Sequence, residues 1–114
     1  MKKYHLGEFE EVVLLATAIL HKEAYGVSIK DEIEKRLNRD VSMGAMHTAL
    51  LRLEDKGYIR SQNGEETEIR EGRPRKYFEI TALGKKAIAY TKESREKMWE
   101  AIPDRIWKLN MGLS

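Results

Sequence analysis

The segment SMGAMHTALLRLEDKG, residues 42 to 57, carries its own start and its own stop. Ser42 is suited to accept a backbone N–H at the head of a helix, and Gly57 to take the left-handed conformation that ends one. Between them Met46, Ala49, Leu50 and Leu53 recur at steps of three and four, which places four apolar side chains on one side. The other side carries Gly44, Thr48, Leu51 and Asp55, flanked by His47 and Arg52. Such a helix must bury one face and leave the other available. In a chain of 114 residues the cover has to come from the remaining elements of one domain.

Those elements can be read on both sides of it. Phe9, Val12, Val13, Ala16, Ile19 and Leu20 fall at helical spacing and predict a first helix over residues 8 to 21, with Glu8, Glu10 and Glu11 at its positive end. Ile29, Ile33 and Leu37 step by four along a second helix, roughly 26 to 38, whose other faces are charged. After Gly57, residues 58 to 62 read as a strand, NGEETEIREGRP as a long turn and residues 75 to 80 as the returning strand. Gly72 and Pro74 break regular pairing and leave Arg73, Arg75 and Lys76 projecting from the turn. Thr81 caps a fourth helix that runs to Ala101, and beyond the break at Pro103 the stretch DRIWKLNM adds one or two helical turns.

The order helix, helix, capped helix, hairpin, helix defines a fold class: mainly α with a two-stranded β-hairpin, the layout of a winged helix-turn-helix. On this reading residues 1–80 form a DNA-binding domain and residues 81–114 a closing helix. A bare charge run is usually a solvated turn, but as the tip of a wing EGRPRK has a task, which is to bring cations to phosphates. The acids Glu65, Glu66 and Glu68 keep the wing from being uniformly cationic.

Other functions find little support. The absence of cysteine rules out a disulfide framework and thiolate metal ligation, and suits a reducing cytoplasm. His5, His21 and His47 are never two to a helical turn, so no metal and no cofactor is expected. Neither a phosphate-binding glycine loop nor an ordered nucleophile and base suggests an enzyme. No secretion signal or membrane-spanning apolar run is seen. A net charge of +2 leaves nucleic-acid binding open. Leu83, Ile88, Met98, Trp99, Ile102, Ile106, Trp107 and Leu109 are more apolar surface than a closing helix can bury within one chain, which predicts a homodimer with the tryptophans as anchors.

The segments LGEFEEVVLLA, AYGVSI, VSMGAMHTALLRLEDKGYI and GRPRKYFEIT followed by ALG resemble the PadR family of bacterial transcription regulators over residues 6 to 90. The resemblance implies a dimeric winged-helix protein that binds double-stranded DNA, usually a repressor. It also implies a C-terminal helix that makes the dimer contact and helps form a pocket for a small aromatic or drug-like effector, here beside Trp99 and Trp107. The compact C-terminal part resembles the subgroup with one closing helix. The candidate DNA contacts are Ser42, Gly44, His47, Thr48, Arg52, Arg73, Arg75 and Lys76. Two positions depart from the family pattern: His47 stands where many members carry tyrosine, and Glu71 where a further glycine is common. The competing reading is a winged-helix module for protein or RNA contact, or a small-molecule-binding dimer without operator specificity.

Overall fold

The computed structural model describes residues 4–64, 69–70 and 73–111. Helix α1 (Glu8–Leu20) begins at Gly7, whose N–H donates to Glu10 Oε1 at 2.9 Å, so a carboxylate satisfies a backbone donor at the positive end. It buries Val13, Leu14, Ala16 and Thr17, and the Thr17 hydroxyl donates to the Val13 carbonyl at 2.8 Å, so burial leaves it satisfied. A 3-10 turn at His21–Glu23 leads to α2 (Gly26–Leu37), which buries Ile29 and Ile33 and ends at Asn38 in the left-handed conformation.

Helix α3 (Met43–Asp55) starts as its sequence predicts, with Ser42 Oγ accepting from the Ala45 N–H at 3.1 Å. Its inner stripe of Met46, Ala49, Leu50 and Leu53 is buried. Gly57, at φ +79°, turns the chain so that the Tyr58 N–H reaches back to the Leu53 carbonyl at 2.9 Å.

Strands β1 (Ile59–Asn63) and β4 (Lys76–Ile80) pair antiparallel, Ile59 opposite Ile80 and Asn63 opposite Lys76. Farther out, β2 (Ile69–Arg70) and β3 (Arg73–Pro74) form a second short ladder, with Ile69 opposite Pro74. The sequence placed this stretch in a long turn and held Pro74 outside any strand. In a two-stranded ladder, however, both strands are edges, and a proline nitrogen can face outward without losing a pair. Glu65, Glu66, Glu68, Glu71 and Gly72 lie outside the described residues.

Thr81 Oγ1 accepts from the Gly84 N–H at 3.0 Å and opens α4 (Ala82–Ala101). Proline disfavours helical backbone in the residue before it; Ile102 is accordingly extended at φ −67°, ψ 123°, and α5 (Asp104–Met111) follows Pro103.

The core gathers α1, α2, α3, Tyr58, Ile59, Phe78 and Ala87, and Ile88 packs against it. Two expected inner residues are outside: Ile19 is 51% and Leu37 49% exposed, and with Leu15, Val12, Ala16 and Ile33 they line an apolar groove between α1 and α2. In their place Leu14 and Thr17 face the core, because α3 and the hairpin close on that side of α1. The first two turns of α4 are held to the core through Gly84 and Ala87, Tyr90 packs on Tyr4 and Arg95 pairs with Glu11 farther along, and the end of the helix projects with α5. The radius of gyration is 17.4 Å, against roughly 13 Å for a compact 100-residue domain, as such a projecting arm requires.

Gly84 is the point where α4 touches the hairpin. A β-carbon there would overlap the Tyr58 carbonyl oxygen and crowd Ile80 Cγ1. Gly84→Ala is therefore expected to lower unfolding free energy by roughly 1–3 kcal/mol, an overpacking cost that chemical denaturation would measure. An unchanged midpoint would contradict this packing.

Candidate nucleic-acid interface

With one face of α3 in the core, the other is committed to solvent. Gly44, His47, Thr48, Leu51, Arg52 and Asp55 are all exposed along it, so the structure brings together the side chains that the sequence singled out on this helix. Ser42 is exposed too, but its hydroxyl is engaged in the cap. Arg52 forms no ion pair with a described residue, and its neighbour Glu54 accepts from Ser61 Oγ at 2.7 Å. An open cleft runs between this face and the start of α1, lined by His5, Gly7, Thr48, Arg52 and Lys56 among others.

Two polar contacts set the angle of α3. Glu34 on α2 accepts the Val41 N–H at 2.9 Å and the Lys30 ammonium at 3.0 Å, which ties α2 to the turn that enters α3. The Val41 hydrogen bond, followed by that of Lys30, holds the Glu34 carboxyl below the usual carboxylate range. At the other end Lys56 Nζ donates to Glu10 Oε1 at 2.6 Å and to the His5 carbonyl at 3.1 Å, joining the exit of α3 to the start of α1.

The basic flank of the hairpin is less uniform than its sequence suggests. Lys76 is exposed at the end of β4. The Arg75 guanidinium instead lies 4.1 Å from the centre of the Tyr25 ring, against the first turn of α2. The side chain of Arg73 lies outside the described residues. Sequence reading passed over Tyr25, since a tyrosine beside a helix start gives no hint that a residue fifty positions later will stack on it. It also passed over Arg39, which stands in the turn before α3 and pairs with Glu8 at 2.9 Å.

On the arm, Met98 is 74% and Trp99 61% exposed, and the rings of Trp99 and Trp107 stack at 5.9 Å and 3° across the Pro103 break. Leu83, Ile106 and Trp107 are also exposed, while Ile88 faces the chain's own core and Ile102 is half-buried. Among the described residues no group of three acidic, histidine or cysteine side chains is placed to hold a metal ion, and no helix is long and apolar enough to cross a membrane.

A helix-turn-helix whose second helix keeps a bare polar face, followed by an antiparallel hairpin with cations on its flank, is a winged helix-turn-helix. The PadR-like family of transcriptional regulators matches residues 14–90, and the chain belongs to that family. It is 32% identical over 109 residues to an uncharacterized protein of Lysinibacillus sphaericus, covering 94% of this chain and 92% of that one. Among solved structures it is similar to a PadR-like transcription factor of Bacteroides fragilis, with TM-score 0.67, 27% identity and coverage of 81% of this chain and 84% of the other. A transcriptional regulator of Clostridium thermocellum gives TM-score 0.66 at 28% identity, over 80% and 85% of the two chains.

The Glu10–Lys56 pair gives the stability of the fold a pH dependence. Burial pushes the Glu10 pKa up, but the Lys56 hydrogen bond, the Gly7 N–H and the charges of Lys56 and Arg52 outweigh it, leaving the group below its ordinary value. A depressed folded pKa stabilises the fold above the unfolded value, and this contribution is lost as pH falls through the folded one. Glu10→Gln is expected to cost roughly 1–3 kcal/mol near neutral pH. Thermal melts of both proteins down an acid series should converge as Glu10 protonates.

Proposed function

We propose that this chain is a DNA-binding transcription regulator that acts as a homodimer on an inverted-repeat operator and represses by occupying it. The observation that carries this reading is the face of α3 from Gly44 to Arg52, exposed on a helix whose start, end and angle are all fixed. Direct readout requires that combination, since base edges are told apart only by side chains held in a defined register in the major groove. Thr48 and His47 are placed to read base edges, and Arg52 a guanine edge or a phosphate. Gly44 leaves room for the backbone to approach the duplex, and Lys76 and Arg73 supply phosphate contacts from the wing.

Support for a second copy comes from two apolar surfaces on one chain. The groove of Leu15, Ile19 and Leu37 lies on α1 and α2; the arm of Met98, Trp99, Ile106 and Trp107 lies beyond the core. A two-fold pair can cover such surfaces reciprocally and sets two recognition helices about one DNA turn apart. The stacked Trp99 and Trp107 serve as anchors of that interface, and their flat faces suit a small aromatic or drug-like effector.

Duplexes selected from a random pool should bind with an affinity that falls steeply with salt. Lys76→Ala should weaken all sequences alike and lower the magnitude of the log–log salt slope by about 0.9 per lost phosphate contact. Thr48→Ala and His47→Ala should instead change which base is preferred in each half-site, by about 1–3 kcal/mol at the position read. Salt-independent binding, or unaltered preference in both α3 variants, would contradict the reading.

Truncation after Tyr90 removes the distal arm and keeps the contact of Tyr90 with Tyr4, whose ring centroids lie 5.4 Å apart. The shortened chain is expected to be a folded monomer by light scattering, with affinity for the full operator reduced by more than tenfold. A truncated protein that stays dimeric would place the interface elsewhere.

A further inference from the structure

Tyr25 carries no charge and lies outside the recognition helix, yet α2 and the hairpin meet on it. Its N–H donates to Ser28 Oγ at 2.9 Å and its carbonyl accepts from the Ile29 N–H at 2.9 Å, which fixes it to the first turn of α2. Its backbone forms a β-bridge with Tyr77, and next to that bridge the Phe78 N–H donates to the Ala24 carbonyl at 2.8 Å. Its ring meets the Tyr77 ring edge-on at 5.6 Å and 79°, while the Arg75 guanidinium covers it at 4.1 Å. Arg75 and Tyr77 are two positions apart in an extended chain, so they share a side, and that side faces Tyr25.

A two-stranded hairpin has little stability of its own, and its angle must be set by what its sides touch. A guanidinium is weakly hydrated and flat, and at 4.1 Å it is well inside the roughly 6 Å range of attraction to a ring face. We infer that Tyr25 is a positioning residue for the wing. It holds Arg75 as a brace between the hairpin and α2, so that Arg75 orients the wing and the phosphate contacts fall to its neighbours. The consequence for DNA rests on the function proposed above; the brace itself rests on the geometry of Tyr25, Arg75 and Tyr77.

The test compares Tyr25→Leu, Tyr25→Phe, Arg75→Ala and the Leu/Ala double variant with the parent, in duplex affinity across a salt series and in the NMR spectrum of the free protein. In the parent, ring currents should shift the Arg75 side-chain protons upfield, and Tyr25→Leu should abolish the shift. Tyr25→Phe keeps the ring and should bind as the parent does. Tyr25→Leu and Arg75→Ala should each weaken binding about three- to thirtyfold with the salt slope unchanged, and the double variant should be no weaker than either. Arg75→Ala that lowers the slope by about 0.9, while Tyr25→Leu has no effect, would make Arg75 a phosphate contact and overturn the inference. Absence of the upfield shift in the parent would overturn the brace whatever the DNA results. A parent that binds no duplex but shows the shift would overturn the proposed function and leave the contact established.

Discussion

Met46, Ala49, Leu50 and Leu53 on α3 are each 4% exposed or less, and much of the molecule is arranged around keeping them so. Burying side chains of this size is worth about 1.5–3 kcal/mol each for the larger ones, a large share of the net stability of a small domain. α1 and α2 cover them from one side, while Tyr58, Ile59 and Phe78 close the core from the other. Because a helix has a fixed angular pitch, this burial also fixes what lies opposite. Rotation of α3 about its axis could move Thr48 to a new bearing only by turning Leu53 out of the core through the same angle. The polar face of α3 is rigid for a reason that lies on its apolar face.

Several short-range hydrogen bonds then convert a packed core into a set of defined angles. Glu34 fixes the turn before α3 through Val41, and Ser61 joins β1 to the end of α3 through Glu54. The Thr81 hydroxyl donates to the Gly57 carbonyl at 2.6 Å, so the residue that caps α4 also holds the turn that ends α3. None of these groups contributes much apolar area. Their effect is geometric: the hairpin cannot hinge freely against the helix beside which it must work. The Tyr25 contacts extend this logic outward, to the part of the hairpin that the core no longer reaches.

α4 changes character along its length. Its first two turns pack so closely on the hairpin that a glycine is needed against the Tyr58 carbonyl, while its last two present Met98 and Trp99 to solvent. A single continuous helix thereby links the core to an apolar arm, and a helix transmits orientation well because its backbone hydrogen bonds resist bending. The charge map has a similar division. The formal charge of +2 says little by itself, since Glu8, Glu10, Glu11, Glu32 and Glu34 occupy α1 and α2 and are largely paired. What counts for a polyanionic partner is the local field of Arg52 and Lys76, both exposed.

The sequence alone determined the elements that carry their own punctuation: α3 between Ser42 and Gly57, α4 from Thr81, the break at Pro103, and the hairpin from its alternation. It also determined which face of α3 is polar, because caps, turns and periodicity are local properties of the chain. Only the tertiary structure decided that Ile19 and Leu37 stay outside while Leu14 and Thr17 go in. Apolar spacing says that a helix has a face to bury, but the neighbour that buries it is chosen by packing. It likewise decided that Arg75 lies against the Tyr25 ring while Lys76 stays exposed, its ammonium 5.7 Å from the Phe78 ring of its own strand. Alternation along an extended chain puts Arg75 and Lys76 on opposite sides, but which of them meets a ring from a distant segment is decided by packing.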